Sequence, residues 1–296
     1  MPFRRSVGVD KVIMNKTLEL LMNRASCRAF KSKKVPAAVV KDILRAGIQA
    51  PTGGNLQPYS VIKIEKRSAI DRLSKLCWQN FIRTAPLHLI FCIDFHRLKR
   101  WARNEAAPFS ADRSLRPFWI AFQDTVICAQ NMCTAADALG LGSVYIGPIF
   151  DRMPEIRKIC RLPKGVLPVV SLALGYPSLR PAPRKRLGSG IVVHDEVYRD
   201  IGDKELFEAF SEKYAGFRKE ITKKDLETLR RVSRKVHGVR FAEKSVRTAK
   251  ARGYINRAQV YFGLNYQADR MLSDTPKRLN AIYRSGISCF SGKGKK

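Results

Sequence analysis

Acidic residues are scarce in this chain of 296 residues: 25 Asp and Glu stand against 56 Lys and Arg, for a net charge of +31. Nowhere does an apolar run reach the ~20 residues that a membrane-spanning helix needs. Met1 to Lys16 carry no apolar run of signal-peptide length, so the expected location is the cytoplasm. The seven cysteines show no C-x-x-C spacing, and several lie in apolar runs, where a thiol behaves as a small hydrophobe. That excludes a zinc-ribbon or disulfide framework and fits a reducing compartment. Only four histidines are present, and His88 sits inside an apolar run without a second ligand at metal-binding spacing. No Ser/His/Asp or paired-carboxylate constellation is apparent, which argues against hydrolytic chemistry by side chains.

What is present is a chain that can fold. With 45% hydrophobic residues it buries a substantial core. The basic excess is spread along its length, without a long basic tail, an RNP-like segment or a zinc-finger pattern. Such charge suits anionic ligands and nonspecific polyanion binding, and makes nucleic acid an unlikely specific partner.

The pattern alternates between helix and strand up to about residue 200. A helix runs from Asn15 toward Arg24, and Pro36 opens a second whose buried face is Val39, Val40, Ile43 and Leu44. A strand is predicted around Val61–Ile64, a helix over 67–82, and a fully buried strand over 86–93. The longest helical pattern spans 117–139, with apolar residues from Phe118 to Ala136 at helical spacing. Gly140 ends it and an extended segment follows to Pro148. A short helix over 152–160, a strongly apolar strand over 166–174 and an edge strand over 191–194 complete this half. Helices then predominate, over 206–217, 226–236, 241–264 and 276–285. Strands alternating with helices, then a helical end, imply an α+β architecture.

Two segments carry groups suited to binding. In an extended Arg24-Ala-Ser-Cys-Arg28 segment, Arg24, Ser26 and Arg28 face one way, as an anion site needs. Solvated charge beside a helix end reads equally well for that motif alone. Ala50-Pro-Thr-Gly-Gly-Asn-Leu-Gln-Pro-Tyr59 is a shaped loop, since proline and paired glycines do not continue a helix. Thr52, Asn55 and Gln57 can hydrogen-bond a polar ring edge there, or merely satisfy the backbone of a turn.

In their order these elements resemble the flavin-dependent nitroreductase family over residues 14–286. The resemblance is carried by Arg24-x-Ser26-x-Arg28-x-Phe30, the Ala50–Tyr59 loop, Gln79 ahead of Ala85-Pro86, Gly140-Leu-Gly-Ser-Val-Tyr-Ile-Gly147, and Gly175-Tyr-Pro177 followed by Arg184-Lys-Arg186-Leu187. It implies a three-layer sandwich with a central, mostly antiparallel sheet flanked by helices and a helical C-terminal extension. It also implies FMN as cofactor and NAD(P)H as electron donor. The reaction expected is a ping-pong reduction of nitroaromatics, quinones or activated alkenes, in a homodimer with FMN at the subunit interface.

Carried over by position, the resemblance puts Arg24 and Ser26 at the FMN phosphate with Arg184 and Arg186. Arg28 and Gln79 fall at the pyrimidine edge, and Tyr145, Ile146 and Gly147 along the N5 side. Pro51, Thr52, Gly53, Asn55 and Gln57 would reach the flavin held mainly by the other subunit. No catalytic side chain and no metal are expected, because hydride chemistry belongs to the cofactor. Residues 1–13 are expected as a basic extension, 14–200 as the flavin-binding core, and 201–296 as a helical region packing on core and partner. Pro148 departs from the family pattern by removing a backbone donor. Two alternatives accompany this reading: a specialised relative, of reductive dehalogenase or flavin-destroying type, and a basic nucleic-acid-binding protein with a degenerate flavin fold.

Overall fold

A computed structural model describes residues 15–290; the predicted extension at 1–13 lies outside the described residues. Two compact units divide the chain, one of residues up to Pro183 with the stretch from Ala281 on, the other Arg184–Asn280.

In the first unit α1 (Lys16–Met22) is capped by the Asn15 side chain, which accepts from the Leu18 amide. Helix α2 (Ala37–Ile48) follows Pro36 and buries Val40, Ile43 and Gly47. Strand β1 (Tyr59–Ile64) leads to α3 (Arg67–Cys77), which Trp78 ends in the left-handed region at φ 51°. The helix predicted over 67–82 is therefore two elements, α3 and a 3₁₀ helix, Asn80–Thr84. Strand β2 (Leu87–Asp94) is buried throughout. A helix not anticipated from the sequence follows, α4 (Phe95–Asn104), capped by the Asp94 carboxylate at the Arg97 amide. Then come α5 (Leu115–Ala138), β3 (Gly142–Ile146), α6 (Met153–Ile159) and β4 (Val166–Gly175).

The sheet has the order β1-β2-β4-β3, and every pairing is antiparallel. This is the α+β architecture expected. Its two faces carry separate apolar clusters. Ile90, Val144 and Ala173 share one with α3 and α6, while Leu89, Phe91 and Leu172 share the other with α2 and α5. The alternation along each strand thus seats the sheet between helical layers. His88, in β2, is 1% exposed, and its Nε2 lies 3.0 Å from the Ile82 carbonyl, the satisfied core histidine read from the sequence.

The second unit is helical. Residues 191–194 are not an edge strand: α7 (Ser189–Val192) takes Ile191 and Val192 into a short helix. Four more helices follow: α8 (Asp203–Lys213), α9 (Lys223–His237), α10 (Val239–Arg252) and α11 (Ala268–Ser273). The single helix predicted over 241–264 is interrupted, because Gly253 adopts φ 72° and ends α10 before a π-helical turn, Gln259–Asn265. A small core of Leu229, Ala249, Ile255 and Val260 holds this unit. Helix α12 (Thr275–Arg284) ends the described elements, and no helix among them is long and apolar enough to cross a membrane.

Candidate functional site

Segment 24–30 lies along the free edge of β3. Ser26 bridges Ser143 in parallel, and the Cys27 amide donates to the Ser143 carbonyl at 2.8 Å. Phe30 bridges Pro177, and the Ser178 amide donates to Ala29, so the segment is held along its length. Gly142 makes this close approach possible: a Cβ there would sit 2.7 Å from that of Cys27. Cys27 is accordingly a packing residue, 2% exposed.

The two arginines of the segment take different neighbours. Arg24 turns toward α5, with Nε 3.8 Å from Asp137 Oδ2 and Nη2 3.5 Å from Cys133 Sγ. The first distance is an ion pair too long for a hydrogen bond, and both Arg24 Nε and Asp137 Oδ2 are buried without one. Burial pushes the Asp137 carboxyl up, opposed mainly by Arg24. Arg28 instead lies over the Phe81 ring, 5.8 Å from its centroid. Phe81 stands two residues beyond Gln79, whose backbone is fixed by Ser74 while its Oε1 is buried without a partner.

The Pro51–Tyr59 loop emerges between α2 and β1 through a 3₁₀ turn, Gly53–Asn55. Gly53, Gly54 and Asn55 are exposed, while Thr52 and Gln57 are half-buried. Gln57 donates from Nε2 to the Ile48 carbonyl at 3.2 Å, and its amide approaches Thr52 Oγ1 at 3.4 Å. At the opposite sheet edge Tyr145 donates to Gln130 at 3.3 Å, and burial pushes its phenol well above the usual range. Ile146 is buried, and the next residue opens outward: a Cβ added at Gly147 meets nothing within 4 Å. Tyr145 also lines an apolar cavity of about 660 Å³ floored by Leu167 and Val169 and walled by Trp119, Phe122 and Val126 of α5.

Arg184 and Arg186 are exposed in the helical unit. Within that unit, Arg184 and Arg257 are both close enough to hold the Tyr261 phenol below its ordinary range, Arg257 by a hydrogen bond of 2.9 Å.

Two groups escaped the sequence reading. Asp124 of α5 accepts the Gly53 amide through both carboxylate oxygens, and Arg97 of α4 donates to the Gln57 and Tyr59 carbonyls. Asp124 left a trace, a carboxylate on the core-facing stripe of an apolar helix. Arg97 left none.

This donor set can be weighed against a flavin mononucleotide. An unpartnered buried amide oxygen suits a polar ring edge, and cations with a hydroxyl suit a phosphate dianion. The open face at Gly147 leaves room for a ring against backbone. The residues fit.

Comparison with known proteins points the same way. The model of the nitroreductase family matches residues 21–176. An oxygen-insensitive NADPH nitroreductase of Salmonella typhimurium is 32% identical over 205 residues, 69% of this chain and 83% of that protein. An NADPH-dependent FMN reductase of Bacillus subtilis is 28% identical, over 62% of this chain and 75% of its own. Among solved structures, a Bacteroides fragilis oxidoreductase described as putative superposes with a TM-score of 0.75 at 23% identity. That match covers 91% of this chain and 99% of the other, and it bears on the fold alone.

Proposed function

The chain belongs to the nitroreductase family, and on that premise we propose that it is an FMN-dependent NAD(P)H oxidoreductase reducing small acceptors of the nitroaromatic, quinone or activated-alkene class. FMN, when bound, would supply the redox chemistry between NAD(P)H and the acceptor. The protein's share is to bind, orient and tune.

Arg28 and Gln79 hold the pyrimidine edge. A guanidinium there stabilises negative charge on that edge and so favours the reduced cofactor. Arg24 and Ser26 serve the phosphate. Tyr145, Ile146 and Gly147 present backbone along the reacting side, where Pro148 contributes no amide donor. The observation that carries the reading is Gln79 Oε1, buried without a partner two residues before Phe81, whose ring lies under Arg28. Buried polar atoms are rarely left so, and a ligand amide or imide would complete it.

A second copy of the chain completes the site. The loop leaves Gly53, Gly54, Asn55 and Leu56 exposed, and α5 exposes Trp119 (59%), Phe122 (40%) and Val126 (37%) along one apolar face. Such a face suits burial against its own counterpart in a homodimer with FMN at the interface. Seven free thiols fit a reducing compartment such as the cytoplasm.

The test is spectroscopic. Purified protein incubated with FMN and desalted should retain the flavin absorbance bands, and anaerobic NADH or NADPH should bleach them. Failure to retain FMN would sink the reading.

A further inference from the structure

The Pro51–Tyr59 loop holds an unusual backbone. Gly54 (φ 62°), Asn55 (φ 55°) and Gln57 (φ 48°) all occupy the left-handed region within four residues, and only the first is glycine. Conformations of this kind persist where the surroundings over-determine them, and they concentrate at ligand sites. Here two charged groups do so from opposite ends. Asp124 receives the Gly53 amide at 3.2 Å and 3.1 Å. Arg97 donates from Nη2 to the Gln57 carbonyl at 2.5 Å and the Tyr59 carbonyl at 2.8 Å. The loop rests directly on α5, where a Cβ at Gly53 would stand 2.6 Å from Ile120 Cγ2.

Asp124 is the less expected partner. It is 4% exposed, in a chain with 56 Lys and Arg, yet its hydrogen bonds come from a backbone amide. The titratable group that interacts with it is the Tyr59 phenol of β1, and no cation contributes to its own upward shift, which burial causes and the Gly53 amide opposes. A buried carboxylate without a counter-charge is costly, so stability alone gives no reason for one here. A charged acceptor does make a markedly stronger hydrogen bond to an amide than a neutral one.

We propose that Asp124 is a positioning residue that, with Arg97 opposite it, locks the 53–57 loop with Gly54, Asn55 and Gln57 in the left-handed region and so sets the loop's shape before any flavin arrives. This rests on the flavin reading only for what the loop contacts. The locking itself belongs to the chain.

The full chain, stripped of flavin, allows the two to be separated. Hydrogen exchange over a peptide spanning 51–58, the melting temperature and the FMN dissociation constant would be measured for wild type, Asp124→Asn and Arg97→Gln. Asp124→Asn should leave the melting temperature unchanged or raised, since a buried charge is removed. Loop exchange should speed up about tenfold and FMN binding weaken about tenfold, the difference between a charged and a neutral acceptor. Arg97→Gln, on an exposed side chain, should loosen the same peptide and folds even if the first variant does not.

Loop exchange unchanged in the folded variants overturns the proposal, as does acceleration spread equally along α5, the mark of a merely structural role. Should wild-type protein fail to take up FMN, the flavin reading falls, and the exchange comparison still decides whether Asp124 and Arg97 lock the loop.

Discussion

The sheet-bearing unit and the helical unit differ in how they hold the backbone that carries their arginines. In the first, Arg24 and Arg28 belong to a segment whose backbone is bonded to β3 and to the chain after β4. Arg24 Nε and Gln79 Oε1 are nevertheless left without hydrogen bonds. In the second, arginines are packed among aromatic rings or paired on the surface. Arg257 lies 4.3 Å from the Tyr261 centroid and 4.6 Å from that of Phe217, and Arg230 pairs with Glu243 at 2.8 Å. A sheet edge can hold a backbone rigid while its side chains stay unsatisfied, so it can prepare a site in advance. In the helical unit Arg257 Nε and Asp269 Oδ1 are also buried without hydrogen bonds, so what distinguishes the first unit is the bonded backbone edge that carries its arginines. The matched family residues, 21–176, lie entirely in the sheet-bearing unit.

The strongest test removes cations from each unit in turn. Arg24→Ala with Arg28→Ala should weaken FMN binding on the order of 10²-fold or more, because each charged hydrogen bond lost costs about 1.5–3 kcal/mol. Arg184→Ala with Arg186→Ala should weaken it less, about tenfold, since both side chains are exposed and water screens their charge. Equal losses, read by fluorescence titration, would break the contrast.

Acid should act on the sheet. Burial lowers the His88 pKa from 6.5 to about 4, so the folded state refuses a proton that the unfolded chain accepts. The stability this contributes is fully present above pH 6.5 and is lost as pH falls toward 4, roughly 3 kcal/mol in all. Urea unfolding at pH 7 and pH 5 should show a slope that His88→Leu removes. A variant with the wild-type slope would place the acid sensitivity elsewhere.

Glycine substitutions sharpen the comparison at a smaller scale. Gly142→Ala drives a Cβ against Cys27, which is anchored on both sides, and should cost about 2 kcal/mol in chemical denaturation. Gly263→Ala in the helical unit meets only the end of the Leu229 side chain, at 2.5 Å. That end can turn aside, and alanine favours helix over glycine by up to about 1 kcal/mol, so the net change should be under about 1 kcal/mol.

Burial explains what could be read in advance. The buried strands β2 and β4 were legible as apolar runs, and the long α5 as an apolar helical repeat. The binding segment and loop were legible because their residues stand in a family order. Helix α4 was not: its apolar stripe is only Phe95, Leu98 and Ala102 among basic residues, and its start is set by the Asp94 cap. The breaks at Trp78 and Gly253 depend on single left-handed residues, which periodicity averages over. Asp124 and Arg97 were missed for a tertiary reason. Their meaning arises only when two helices meet a loop distant in sequence.

The smallest expected effect concerns Arg230 and Glu243, whose pair spans α9 and α10 with both side chains about half exposed. Water screens such a pair and ordering two long side chains offsets much of the attraction, leaving about 0.2–1 kcal/mol. Glu243→Gln should therefore shift the melting temperature by only a degree or two, less at high salt, with FMN retention unchanged. A larger loss would mean that α9 and α10 rely on this pair because their shared core of Leu229 and Ala249 is thin. The helical unit would then be held by charge as the sheet-bearing unit is held by burial, and adding salt would melt the one while leaving the other folded.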